Sequence, residues 1–173
     1  MSRPEVHATL HGEAGFSETS AKARGELMIA PCGFRCDRCV AFTRNARTQA
    51  DRVRGSTGWA TYWGLRVPPE RIQCHGCPEG PVAGLQFPDS DCEIRPCVLG
   101  RGLATCAECG EYPCQSLRSR MAACDKVVTR CRDQVPERDF ARFIAPYDCR
   151  TTFDGLRKGQ PADPRPRKGR KDR

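Results

Sequence analysis

Apolar positions recur at helical spacing in the first half of the chain. An early ladder predicts a helix over 36–53 that stops near Gly55, and its members are Phe42, Ala46, Ala50 and Val53. An aromatic set follows at i, i+3 and i+4 and predicts a second, shorter helix over 56–66, with the rings in the core: Trp59, Tyr62 and Trp63.

The second half carries the strongest helical pattern. It runs from Pro113 to about Arg132, and its apolar positions are Leu117, Met121, Cys124, Val128 and Cys131. A short helix is expected from Pro96 to Gly100 or Gly102, and a last one around Phe140, Phe143, Ile144 and Tyr147. Period-two alternation is scarce, so the pattern predicts a mainly α domain with irregular cysteine-rich loops.

Composition makes a purely hydrophobic core insufficient. Hydrophobic residues are 38% of the 173 residues, but this share includes 13 cysteines. Without the cysteines roughly 31% remain, which is below the usual apolar share of a globular domain. We therefore expect bound metal to supplement apolar burial, as it does in other small cysteine-rich domains. No apolar run is long enough for a membrane span, and the start has no apolar signal region, so we expect a cytoplasmic protein.

Charge divides the chain into three parts. The net charge is +8, and the segment 157–173 holds eight basic and two acidic residues, which gives +6. This tail is rich in proline and poor in apolar residues, so we expect it to be disordered. The segment 1–27 has no sustained period and is expected to be a disordered extension. The cysteine-rich domain is predicted over 28–156.

Ten cysteines stand at metal-ligand spacing. They form C-x3-C-x2-C, C-x2-C, C-x4-C and C-x2-C-x4-C patterns, at Cys32, Cys36, Cys39, Cys74, Cys77, Cys92, Cys97, Cys106, Cys109 and Cys114. Two intervening residues make a tight turn that directs both sulfurs to one point, so these knuckles predict metal sites. Disulfides are disfavoured in a reducing cytosol, and a thioredoxin-like redox pair lacks its βαβ surroundings.

The identity of the metal is the open choice. Structural zinc sites use ligands two and two, and the pairs 74/77 and 106/109 suit one such site. Iron–sulfur clusters are often held by three close cysteines and a remote one, which suits the triplet 32/36/39. That triplet and 106/109/114, together with the lack of histidine ligands, favour a 4Fe–4S cluster over zinc. A distant cysteine such as Cys97 or Cys114 completes the first triplet, or one position stays open.

The other cysteines and histidines are expected to have different roles. Cys124 and Cys131 continue the apolar stripe of one helix and are expected to be core thiols, whereas Cys149 is undetermined. His75 is expected to be a turn residue. Pro113 suits the first position of a helix, where the dipole would favour Cys114 as a thiolate.

Four motifs together resemble a prokaryotic cysteine-rich family still labelled a domain of unknown function. They are MIAPCGFRCDRC from Met28, CHGC from Cys74, CEIRPC from Cys92 and TCAECGEYPCQSL from Thr105. The resemblance covers about residues 28–117. It implies a small metal-binding protein and no named reaction.

Three functional classes remain open at this point. The first is an iron–sulfur protein that serves redox or sulfur-transfer chemistry as an accessory to a pathway enzyme, with a protein partner. The second is a zinc-stapled binding module that recognises protein or nucleic acid, in part through the basic tail. The third is a metal-handling or thiol-buffer protein. No motif specific to an enzyme family decides whether the chain is an enzyme.

Overall fold

A computed structural model describes residues 27–77 and 92–159. The predicted extension, apart from its last residue, and the tail beyond Gly159 lie outside the described residues, as does the segment 78–91. All thirteen cysteines lie inside them. The predicted domain over 28–156 is therefore described except for that one internal segment.

The described residues form helices and turns, with β-pairing limited to two isolated bridges. The α-helices are α1 (Gln49–Trp63), α2 (Ile94–Gly100), α3 (Gln115–Cys131), α4 (Glu137–Asp139) and α5 (Cys149–Arg157). A π-helical segment, Phe140–Ile144, continues α4 and leads into the 3-10 turn Ala145–Tyr147. Further 3-10 turns lie at Cys36–Arg38, Pro69–Arg71 and Cys106–Glu108. The prediction of a mainly α, cysteine-rich domain is confirmed.

Helix α1 begins later and ends later than predicted. Thr48 and Asp51 form a reciprocal capping box that starts the helix at Gln49, and Gly64 in the left-handed conformation ends it. The predicted helix over 36–53 with a stop at Gly55 was therefore wrong, and 56–66 is largely the second half of α1. Gly58 has a packing role, because a Cβ at this position would overlap the Phe143 ring.

Helix α3 matches its prediction closely. All five residues of the predicted stripe are buried: Leu117, Met121, Cys124, Val128 and Cys131. The helix joins the two apolar clusters of the domain, since its first three stripe residues belong to one cluster and its last two to the other. Cys114 is its N-cap and Gln115 its first residue, so Pro113 precedes the helix and does not occupy the predicted first position.

Helix α5 was not predicted. The Asp148 side chain caps it by accepting hydrogen bonds from the backbone N–H of Thr151 at 3.0 Å and from its hydroxyl at 2.8 Å. Phe153 of α5 is fully buried against Gly33, whose φ of 89° favours glycine. The carboxylate of Asp125 accepts hydrogen bonds from Arg150, so an ion pair also ties α5 to α3.

The described helices include none that is both long and apolar enough to cross a lipid bilayer.

Candidate metal centre

The ten cysteines at ligand spacing separate into two neighbouring sets. The first thiol group consists of Cys32, Cys36, Cys39, Cys74 and Cys77, which act on one another electrostatically. The second thiol group is centred on Cys106, which interacts electrostatically with the other four members: Cys92, Cys97, Cys109 and Cys114. Each group thus combines one C-x2-C-containing triplet with a more distant pair.

Backbone contacts bring the two loops of the first thiol group together. The 3-10 turn Cys36–Arg38 is followed by Phe42, which forms a parallel bridge with Cys74. The amide of Thr43 donates to the Cys74 carbonyl at 2.9 Å. The 74–77 knuckle then closes through Gly76, which has a φ of 100° and suits glycine alone. His75 is part of this turn, and no described contact directs it toward the sulfurs.

Cys77 is the central member of the first thiol group. It shares a side-chain hydrogen bond with Cys36, and this bond, together with burial, raises the pKa of the Cys36 thiol far above its usual value. Cys77 also acts electrostatically on Cys32, Cys39 and Cys74. Burial raises the pKa of Cys32 strongly, and it raises that of Cys74 to about 11. Burial away from water thus keeps these thiols protonated and neutral, unless a nearby positive charge such as a metal ion stabilises the thiolate form.

Backbone N–H groups point at several of these sulfurs. The amide of Gly76 donates to Cys74 Sγ at 3.3 Å. Cys39 interacts with the amides of Ala41 and Phe42, which oppose the rise in its pKa caused by burial. Such donors stabilise a thiolate, which is the form that binds a metal. The backbone N–H groups of these loops would therefore stabilise the thiolate forms of Cys39 and Cys74.

A buried tyrosine extends this support to Cys39. The Tyr147 hydroxyl lies 3.3 Å from Cys39 Sγ and 2.9 Å from the indole nitrogen of Trp59. An indole N–H only donates, so the Tyr147 oxygen accepts a hydrogen bond from Trp59. The Tyr147 O–H can then donate a hydrogen bond to the Cys39 sulfur. Burial raises the pKa of Tyr147 well above its ordinary value, with the Cys39 charge adding to the rise. Tyr147 is thus a neutral donor placed against a candidate ligand.

Replacing Tyr147 with Phe should change the electronic character of the Cys39 sulfur. Tyr147→Phe keeps the ring and removes the hydroxyl, so a metal-bound Cys39 loses a hydrogen-bond donor. We expect a shift in the sulfur-to-metal charge-transfer absorption of the metal-loaded protein. Trp59→Phe is the matched control, because it disturbs the same aromatic cluster but leaves the Tyr147–Cys39 contact. A stability loss in both variants with an unshifted spectrum in Tyr147→Phe would contradict this role.

The second thiol group is shaped by a capped turn and the start of α3. The Thr105 hydroxyl accepts from the Ala107 amide at 3.2 Å, and Glu108 reaches back to the Ala104 amide at 3.2 Å. This arrangement fixes the turn that carries Cys106 and Cys109. Cys114 follows as the N-cap of α3. Helix α2 supplies the exposed Cys97.

The second group lies closer to solvent and to a positive charge. Burial, followed by the charges of its neighbouring cysteines, raises the pKa of Cys106 to about 11. Arg101 donates to Cys109 Sγ at 3.6 Å and pairs with Glu111 at 3.2 Å. The two thiol groups are adjacent, because the Cys106 amide donates to the Pro31 carbonyl at 3.0 Å, next to Cys32.

The cysteines are near one another without forming a closed coordination shell. Within 27–77 and 92–159, no three His, Cys, Asp or Glu side chains are arranged to hold a metal ion. None of the thirteen cysteines forms a disulfide. Coordination would thus require the thiol side chains of a group to turn toward a common point.

The grouping differs from two pairings considered from the sequence. Cys77, which the sequence did not suggest as the completing residue, lies beside the triplet 32/36/39. The knuckles 74/77 and 106/109, which the sequence suggested as one zinc site, interact mainly with other cysteines: Cys74 with Cys39 and Cys77, and Cys106 with the rest of the second thiol group. Local spacing identified the members of each knuckle, but the path of α1 determines which knuckles meet.

Three cysteines form a separate set of core thiols. Cys124 and Cys131 are buried on α3, as predicted. Cys149, which the sequence left undetermined, is fully buried at the start of α5 and shares a hydrogen bond with Cys124 that raises its pKa strongly. Its charge would also act on Cys32, so this pair lies just behind the first thiol group. Asp148, a favourable N-cap residue directly before Cys149, was the available indication of α5.

The fold and the cysteine pattern define a small, mainly helical, cysteine-rich domain. A family model described as "Protein of unknown function (DUF3795)" matches residues 28–119, which is more than half of the chain. The chain belongs to this family. The match begins at the residue where the predicted domain begins and includes both thiol groups, whereas α4 and α5 lie beyond it.

A comparison with curated proteins found no match, and a comparison with solved structures found none either.

Proposed function

We propose that this protein binds iron–sulfur clusters through its two thiol groups and serves as a redox or sulfur-transfer accessory to a pathway enzyme. The observation that carries the proposal is the sorting of ten free cysteines into two sets of five. Each set contains three closely spaced cysteines and more distant partners, a pattern that is common for cluster ligands.

The donor set suits a soft metal centre. Asp37 lies between Cys36 and Cys39, but Arg35 holds both of its carboxylate oxygens at 2.9 and 2.7 Å. This carboxylate is therefore engaged, and the thiols of the first group remain available as donors. Thiolate-rich sites select iron–sulfur clusters, zinc or copper(I) over hard cations.

The proposed ligands follow from the neighbours of each triplet. For the first centre they are Cys32, Cys36, Cys39 and Cys77. For the second they are Cys106, Cys109 and Cys114 with Cys97 or Cys92. A bound cluster would supply electron transfer or labile sulfide, while the chain contributes thiolates, N–H donors and the Tyr147 hydroxyl.

This role places the protein in the reducing cytoplasm with a protein partner. Thiols stay reduced in that compartment, so ten closely spaced cysteines can persist without forming disulfides. We assign the binding of nucleic acid, where it occurs, to the basic tail 157–173, because this segment holds most of the net positive charge.

One observation favours zinc as a second candidate. The bridge between Phe42 and Cys74 brings two C-x2-C knuckles side by side, 36/39 and 74/77. Two facing knuckles are the usual arrangement of a structural zinc site. In that case Cys32 would be left out of the first centre, and the protein would be a metal-stapled binding module.

Metal and sulfide analysis of anaerobically purified full-length protein tests the proposal. Iron and acid-labile sulfide in about equal amounts, with a broad visible absorption, are expected for bound clusters. Colourless protein that contains stoichiometric zinc, and that takes up no iron on anaerobic reconstitution, would replace this function with the zinc-stapled module.

A further inference from the structure

A cleft of about 540 Å³ opens beside the 3-10 turn of the first thiol group. Four arginines and two aspartates supply its charged lining: Arg38, Arg54, Arg138, Arg142, Asp37 and Asp51. Its volume falls within the range of small-molecule sites. The arginines come from three separate parts of the chain: the cysteine loop, α1 and the α4–π segment.

Both aspartates of the cleft are already engaged. Asp37 is held by the guanidinium of Arg35. Asp51 accepts from the Thr48 amide and hydroxyl at 3.0 and 2.7 Å and also pairs with Arg54. Neither carboxylate forms an ion pair with Arg138 or Arg142 in the described parts of the chain.

Two of the lining arginines, Arg138 and Arg142, have a weak ion pair or none in the described parts of the chain. Arg142 forms no ion pair within the described parts of the chain. Arg138 approaches Asp139 only to 3.9 Å, and its side chain is 86% exposed. Surface pairs of this kind contribute little, so Arg138 can be recruited by a better partner.

The backbone that carries Arg142 is unusual. Ala141 and Arg142 belong to the π-helical segment, whose other members Phe140, Phe143 and Ile144 are buried. π-Helical turns are rare and occur frequently at functional sites. Here the buried residues anchor the segment against the core, while Arg142 is exposed on its cleft side.

We propose that this cleft binds a small molecule carrying two or more phosphate or carboxylate groups. Guanidinium groups match these anions with paired hydrogen bonds, and arginines from three parts of the chain line this cleft. No aromatic side chain is among the described residues that line the cleft, so a stacked nucleobase is not part of the proposed ligand.

The cleft and the first thiol group share a wall. The Asn45 amide donates to the carbonyls of Asp37 and Cys39 at 3.0 and 2.9 Å, which fixes the loop between the cleft and the sulfurs. A polyanion in the cleft would thus be bound beside the proposed metal centre. The proposal itself stands on the arginines and does not depend on the metal.

Calorimetric titration of the full chain with pyrophosphate and with citrate tests this site. Arg142→Gln should weaken binding on the order of tenfold, because it removes a charge-assisted contact. Arg66→Gln is the matched control: it removes the same charge at an exposed position away from the cleft, and it should leave binding unchanged. Tighter binding of pyrophosphate indicates a phosphate ligand, and tighter binding of citrate indicates a carboxylate ligand.

Two results would overturn the proposal. One is no binding of either probe, including the case in which only a single-stranded oligonucleotide binds and Arg142→Gln abolishes that binding. The other is equal weakening by both substitutions. Metal content is measured on each variant. An Arg142→Gln protein with full metal but weak anion binding supports the cleft, while the metal content of the wild type tests the proposed function separately.

Discussion

Removing the metal that we propose for the two thiol groups is expected to unfold the domain over 28–156. The apolar share of the chain is small, and the buried cysteines Cys32, Cys36 and Cys106 occupy core positions among apolar side chains. Metal binding can contribute on the order of 10 kcal/mol to a small domain, which is comparable to the whole stability of most proteins. Chelation under reducing conditions should therefore abolish the helical circular dichroism.

The control for this experiment is a thiol that is not a ligand. Cys124→Ala removes a buried sulfur and its hydrogen bond to Cys149, so it should cost about 1–2 kcal/mol and leave the metal content unchanged. A metal-free protein that keeps a sharp thermal transition would contradict the dependence on metal. Loss of metal in Cys124→Ala would show that Cys124 is a metal ligand and not a core thiol.

The helices that could be predicted are those with an uninterrupted apolar period. Helix α3 has five stripe residues and no glycine inside it, so its pattern determined its position. Helix α1 contains Gly55, which resembles a stop signal but is buried within the helix, and Gly58, where a Cβ would overlap the Phe143 ring. Tertiary contact therefore overrode the local tendency of glycine to end a helix.

Helix α5 and the grouping of the cysteines lay beyond the reach of local patterns. The α5 sequence contains two threonines and a glycine, and its formation depends on the Asp148 cap and on burial of Phe153. Similarly, spacing along the chain identified the C-x2-C knuckles. The hydrogen bond between Cys36 and Cys77, however, depends on the bridge between Phe42 and Cys74, which forms after the chain has passed through α1. Long-range packing of this kind is not encoded in the spacing of neighbouring residues.

Cys32 and Cys74 should respond in opposite ways to replacement, depending on the metal. Both act on Cys77, but Cys32 completes the triplet 32/36/39, whereas Cys74 completes a pair of knuckles. If the first centre is a cluster on the triplet and Cys77, Cys32→Ala loses one whole cluster and Cys74→Ala retains it. If the centre is zinc on 36/39 and 74/77, Cys74→Ala loses the metal and Cys32→Ala retains it.

Metal analysis and electron paramagnetic resonance of the two anaerobically reconstituted variants decide between these arrangements. We expect Cys32→Ala to lose about half of the iron, with the second thiol group keeping its cluster, because that group uses separate ligands. Cys77→Ser is the positive control, since Cys77 is a ligand in both arrangements. Equal iron content in Cys32→Ala and wild type would remove Cys32 from the site and, with it, the three-plus-one basis for a cluster at the first centre.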